Sequence, residues 1–284
     1  MMKGNLAVIL FISANLLLVS YSYALKECIE PIRQSTRDSD PKCGDDAAFV
    51  PQAICHSGHR NVAPVKECSD HDNHDDMHLR GSDVCAFVVE AFFAEWRMLD
   101  AAFLLSSSCH ADIAAGDFTA IDALQVLPEN NELVGIELYG SDFLRVLEES
   151  LVQYYVHNQQ GSYPHTAGIK YQLDLLAPKG ERIKDAKVMG FMCNWKPLQQ
   201  NERYKIMTNS VLADTIFSSS SSLHKMPTKR GEAESLFLYA TSVCTLSDNW
   251  HKMRLYHDPK TIPVANENMA QKDDITQRTV TATI

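Results

Sequence analysis

Asp100–Leu138 reads DAAFLLSSSCHADIAAGDFTAIDALQVLPENNELVGIEL, and its pattern sets the architecture. Ala101–Leu105 is a short unbroken apolar run, the signature of a strand buried on both faces. A polar loop follows. Thr119 with Asp122 three residues on forms a capping-box pattern that opens a short helix, and Pro128 stops it. Leu133–Leu138 then alternates apolar and polar residues as a half-buried strand does. Ser141 is the expected cap of a second helix, which carries Phe143, Leu144, Leu147, Leu151 and Tyr154 on one face.

Working outward, Ser82 or Asp83 caps a helix whose apolar stripe is Val84, Phe87, Val88, Ala91 and Phe92. Further strands are expected at Gly168–Leu173, Lys187–Met192 and Arg203–Met207. Helices and strands interleaved in this way predict an α+β fold of mixed α/β layers.

The ends of the chain bound the protein's setting. Lys3, the apolar run Leu6–Val19 and the small residues Ser22 and Ala24 form a secretory signal pattern, with cleavage expected after Ala24. The run is short for a membrane span, and no lipid-anchor signal closes the C-terminus. The expected organisation is a signal peptide (1–24), an irregular Cys/Asp/His-rich segment (25–79), a folded domain (80–257) and a polar, disordered tail (258–284). The expected location is secreted, extracellular or lumenal, with no membrane anchor. Hydrophobic residues make up 45% of the chain, enough for a core. The net charge of -10 argues against a nucleic-acid partner, whose backbone rewards clustered Lys and Arg.

All eight cysteines, Cys28, Cys43, Cys55, Cys68, Cys85, Cys109, Cys193 and Cys244, follow the signal. An even number in an oxidising compartment predicts disulfides. The first four are expected to staple the N-terminal segment, and their spacing leaves three connectivities open.

Three segments in the same order carry a family resemblance. Ser82–Ala91 (SDVCAFVVEA) resembles the pattern E-S-N-L-G-N-L-I-A-D-A; Gly161–Gly168 (GSYPHTAG) resembles G-x-F-P-Q-V-S-G; Tyr204–Ala213 (YKIMTNSVLA) resembles Y-x-V-x-T-N-D-Y-L-A. With the Val126-Leu127-Pro128 turn between them, Arg80 to about Ser222 resembles the C-terminal, substrate-binding domain of the 5'-nucleotidase / UDP-sugar hydrolase family. The resemblance implies a metal-dependent phosphoric ester hydrolase acting in nucleotide catabolism. Its two divalent metals would sit in a separate metallophosphatase domain, expected to be absent from this chain, so no cofactor is expected here.

The resemblance also places the substrate contacts, and most of them are replaced. The N-S-G-G-I-R loop, which supplies an Asn and an Arg, is Leu105-Ser106-Ser107-Ser108-Cys109-His110 here. Leu105 cannot hydrogen-bond, and His110 lacks the charged guanidinium fork. Serines in place of both glycines would be strained in any left-handed backbone conformation. One ring of the base-stacking pair falls at Glu129 and the other at Val211, with Phe217 the one nearby ring that could still be presented. Each lost stacking contact weakens binding by about 1–3 kcal/mol.

Other residues have side chains suited to chemistry. Ser69–His78 (SDHDNHDDMH) holds His71, His74 and His78, weak candidates for a loose zinc or copper site within a solvated acidic loop. Ser106, His110 and Asp112 have the residue types of a hydrolase triad without a Gly-x-Ser-x-Gly elbow, so a catalytic role is not expected. His165 is expected at the surface. The expected function is therefore a catalytically silent binding or interaction module, a pseudoenzyme whose partner is an unknown protein or small molecule. The alternative is the non-catalytic half of a phosphohydrolase completed by a separate metallophosphatase chain.

Overall fold

The computed structural model describes residues 48–50, 53–55, 82–96, 98–190, 194–220 and 223–243. Its first elements in chain order are strand β1 (Ala48–Val50), helix α1 (Asp83–Glu95), strand β2 (Ala101–Leu105), strand β3 (Gly116–Phe118), helix α2 (Ala120–Val126), strand β4 (Glu132–Tyr139) and helix α3 (Gly140–Tyr155). Strands β5 (Pro164–Ala167), β6 (Ile169–Leu173), β7 (Ile183–Met189), β8 (Trp195–Pro197) and β9 (Arg203–Asn209) follow, then helix α4 (Ser210–Thr215), strand β10 (His224–Gly231) and helix α5 (Glu232–Val243). The mixed α/β expectation holds.

The central sheet has the order β10-β4-β9-β2-β5. Only β2 and β9 run parallel, with Ala101 opposite Ile206 and Ala102 opposite Met207. All five residues of β2 are buried, so both faces of the sheet are covered at its centre. Phe103 packs edge-on against Phe143 of α3. Alternation then turns Ala102 and Leu104 to the opposite face, where α1 packs on β2 and β5. Phe87 of α1 and Tyr239 of α5 join those two helices, their ring centroids 5.8 Å apart. A second antiparallel sheet, β6-β7-β8, and a two-stranded ribbon, β1-β3, complete the fold.

Several expectations are corrected. Helix α1 has no solvent face over Val84–Phe93, because every residue of that run is buried, Glu90 included. It is a central helix rather than an amphipathic surface one. Ser82 is its cap, accepting from the Cys85 N–H. Ser141 caps nothing. Strand β4 runs straight into α3, and the Gly140 and Ser141 N–H groups donate to the Glu202 and Gln200 carbonyls instead. A Cβ on Gly140 would lie 2.3 Å from the Gln199 carbonyl oxygen, so glycine is required there.

The segment read as irregular before the domain is partly built into the core. Strand β1 pairs antiparallel with β3, and Ile54 bridges Ile113. The strand expected at Lys187–Met192 begins earlier, at Ile183, and is described to Met189. No periodicity announced β10. Its Pro227 cannot donate to a ladder, which suits the edge position it occupies beside β4. Among the described residues no helix is long and apolar enough to cross a membrane.

Candidate functional site

The parallel pair β2 and β9 end side by side, and the loops leaving them form one edge of the domain. From β2 the chain enters a 3-10 turn, Ser106–Ser108. Neither Ser107 nor Ser108 has a positive φ. The strain expected of serine in place of glycine does not arise, because this loop never visits the left-handed region.

Two cross-links hold that turn to α1. Cys85 and Cys109 form a disulfide with a Cα–Cα distance of 5.7 Å. Ser106 Oγ lies 2.9 Å from His165 Nε2, and the Ser82 N–H donates to the same nitrogen at 3.3 Å. A nitrogen accepting from a backbone N–H carries no proton, so the Ser106 hydroxyl is the other donor. His165 is 2% exposed and Ser106 4%, which corrects the surface position expected of His165. The geometry is that of a serine–histidine pair, yet it is shut from solvent and ties the turn after β2 to β5 as a strut. The histidine bonded to Ser106 is His165, not His110.

The next loop ties His110 to the end of α2, three residues before Glu129. The His110 N–H donates to the Val126 carbonyl at the end of α2, so His110 stands beside the turn that carries Glu129. Asn130 takes a left-handed conformation (φ 42°) directly after it, and its side-chain oxygen accepts from the Ala233 N–H. Asparagine tolerates that region better than most residues.

Val211 arrives from the other side. Asn209 caps α4 by accepting from the Leu212 N–H at 2.8 Å. Val211 is 49% exposed on that helix, and Leu105, at the end of β2, is 8% exposed. Extending the β2–β9 register from Ala102 opposite Met207 puts Leu105 level with Ser210. Phe217 goes elsewhere. It is fully buried, edge-on to Phe103 with centroids 5.2 Å apart, so its ring belongs to the core and is not presented.

One residue that sequence reasoning missed ties these loops together. Glu232, at the start of α5, is 1% exposed. One carboxylate oxygen accepts from the Asn209 side chain at 2.8 Å. The other accepts from the Asn131 N–H at 3.0 Å and from the Asn131 side chain at 3.1 Å. Burial pushes the Glu232 carboxyl above the ordinary carboxylate range; the hydrogen bonds from Asn209 and Asn131 pull it down, and the charge of Glu129 adds to the rise. Asn131, which Glu232 holds, lies two residues beyond Glu129 in the same loop.

His71, His74 and His78 lie outside the described residues. Among the described residues no three His, Cys, Asp or Glu side chains are gathered as a metal ion would need.

Residues 64–216 match the family described as 5'-nucleotidase, C-terminal domain. Among curated proteins, the chain is 30% identical over 135 residues to the NAD 5'-nucleotidase of Haemophilus influenzae, covering 47% of this chain and 22% of that one. It is 26% identical over 180 residues to Protein 5NUC of Lutzomyia longipalpis, covering 60% and 30%. Among solved structures, the 5'-nucleotidase precursor of Thermus thermophilus superposes with a TM-score of 0.58 at 20% identity, covering 84% of this chain and 41% of that one. The chain spans less than a third of the length of these curated relatives.

Proposed function

We propose a function on one premise: the chain belongs to the 5'-nucleotidase family, through its C-terminal domain. On that premise it is a secreted, catalytically silent member that acts as a binding or interaction module and does not hold nucleotides in the family's manner. The observation that carries this reading is the state of the stacking positions. Glu129 and Val211 stand where the resemblance puts two aromatic rings, and the ring of Phe217 is wholly inside the core.

Physical chemistry supports the same direction. A purine gains about 1–3 kcal/mol from each aromatic face that stacks on it, and neither Glu129 nor Val211 has such a face. A nucleotide phosphate is an anion, and Glu129 is itself an exposed acidic side chain. His110 offers a ring nitrogen where a forked, permanently charged guanidinium would grip phosphate.

Calorimetric titration with AMP and adenosine tests the proposal, with no heat of binding at low-micromolar ligand as the expected result. Phosphate release from AMP or UDP-glucose, measured with added Mn²⁺ or Zn²⁺, is expected to stay at background. Turnover abolished by a chelator would overturn the silent reading. Turnover appearing only when a separate metallophosphatase chain is added would replace it with the completed-enzyme alternative.

A further inference from the structure

The outward face of the β6-β7-β8 sheet carries lysines that form no ion pair with a carboxylate among the described residues. Pairing sets Lys170 opposite Lys187 and Gln172 opposite Lys184, with a register shift between the two pairs. Directly opposed residues share a face, and the shift lets Lys184 and Lys187, three apart in sequence, point to the same side. Lys187 is also opposite Pro197, which puts Trp195 on that side too. The contact agrees: Lys170 Nζ sits over the Trp195 ring, 4.2 Å from its centroid. Ile169, Tyr171, Leu173 and Val188 fill the opposite, buried face. Gln172, Lys184 and Lys187 are exposed, as is Lys196 at the sheet edge.

This arrangement works against the fold. Like charges directly opposed across two strands destabilise the pair, and Lys170 with Lys187 is such a pair; the Trp195 ring offsets part of that repulsion. Several cations elsewhere in the domain are neutralised, although the exposed Lys179 and Lys229 make no ion pair among the described residues. Lys225 pairs with Asp214, Arg230 with Glu95, Arg203 with Glu137, and Arg145 with Asp142 and Glu149. Among the described residues no such pair involves Lys170, Lys184, Lys187 or Lys196, and Asp185, in the same strand, makes none with them. In a chain of net charge -10, an uncompensated basic face is a local departure that an anionic partner would explain.

We propose that this face docks a sulfated polysaccharide. Opposed lysines stand about 5 Å apart across the strands and about 10 Å apart along β7, a row that a linear chain of closely spaced anions can follow. The cations are lysines, compact point charges that attract an anionic group without the two-point fork of arginine. The Cys85–Cys109 disulfide belongs to oxidising surroundings, where sulfated glycans are abundant and nucleic acid is scarce. The face lies on a different sheet from the Glu129–Val211 edge, so the inference does not rest on the silent reading of that edge.

The full chain is passed over immobilised heparin at about 0.15 M NaCl and eluted with salt. Retention is expected, and chemically desulfated heparin should not retain it. The double variant Lys184→Gln/Lys187→Gln should lose about tenfold or more in affinity, and its log–log salt slope should fall by about 2. Lys225→Gln/Lys229→Gln, with the same change in charge, should behave as the parent. No retention of the parent, or equal losses in both variants, overturns the proposal. Tighter binding to duplex DNA, polyglutamate or phosphatidylserine vesicles than to heparin overturns the assigned partner. A footprint on the unaltered protein gives an independent readout: heparin should shield Lys170, Lys184 and Lys187 from acetylation and leave Lys225 and Lys229 reactive, and the reverse pattern refutes it.

Discussion

Glu232 accepts a hydrogen bond from the Asn209 side chain at 2.8 Å, joining the first turn of α5 to the cap of α4 inside the domain. Through its other oxygen the same carboxylate holds Asn131, two residues beyond Glu129. The loops that carry the altered positions Glu129 and Val211 are therefore braced by one buried acid.

Removing that brace should be costly. Glu232→Ala leaves three donors, one on Asn209 and two on Asn131, without their acceptor. At about 1 kcal/mol or more for each lost bond, the variant should be about 3 kcal/mol less stable. Urea unfolding of both proteins measures the difference, and a change below about 0.5 kcal/mol would show that the network carries no stability.

The same acid sets a pH dependence. Burial raises the folded-state affinity of Glu232 for its proton above the ordinary value of 4.5. As pH rises from about that value through the raised one, the unfolded chain has already lost this proton and the native state then gives it up, so stability falls across the window. Against Glu232→Gln, which cannot ionise, the parent should lose relative stability as pH rises through that window. A constant difference across urea titrations at several pH values would contradict this.

Restoring two rings should restore a clamp. Glu129 and Val211 are both exposed, so Glu129→Phe with Val211→Tyr is expected to leave the core intact. Adenosine affinity should rise by about tenfold or more for each ring. Calorimetry that finds no gain would mean that the two positions do not face a common ligand.

The Cys85–Cys109 bridge closes a segment with a sequence separation of 24 between α1 and the loop beyond β2. Replacing both cysteines with alanine should lower stability by about 3 kcal/mol. Thermal unfolding at matched pH reads this directly, and an unchanged midpoint would discount the bridge.

Ser106 is expected to be a strut and not a nucleophile. Ser106→Ala keeps the Ser82 N–H bond to His165, so the cost should be about 1 kcal/mol. A fluorophosphonate probe should leave Ser106 unlabelled in the folded protein, and stoichiometric labelling would reverse the assignment.

The sequence carried the elements whose signals are local. Ala101–Leu105 is an apolar run of strand length and forms strand β2 over those residues. Thr119 and Asp122 make the reciprocal capping bonds that their spacing implies. Leu133–Leu138 lies within β4, although Leu133, Val134, Gly135 and Ile136 are all buried, so the strand is covered on both faces rather than half-buried. The residues Glu129, Val211, His110 and the serines are plain in the sequence, but their place among substrate contacts is what the family resemblance implies. The local elements depend on neighbours within a few residues, where backbone geometry and side-chain size act directly.

What escaped the letters depends on partners far along the chain. His165 turns inward because Ser106 and Ser82 meet it from two other elements. Phe217 fills the core, edge-on to Phe103, where the resemblance left room for its ring to be presented. Glu232 is buried because Asn209 and Asn131, 23 and 101 positions away, surround it with donors. The lysine face exists because a register shift aligns residues of three strands. Periodicity reports which side of an element is apolar; which distant atoms will satisfy a buried polar group is settled when the sheets and helices close, since the cost of leaving that group unpaired is met only in the assembled fold.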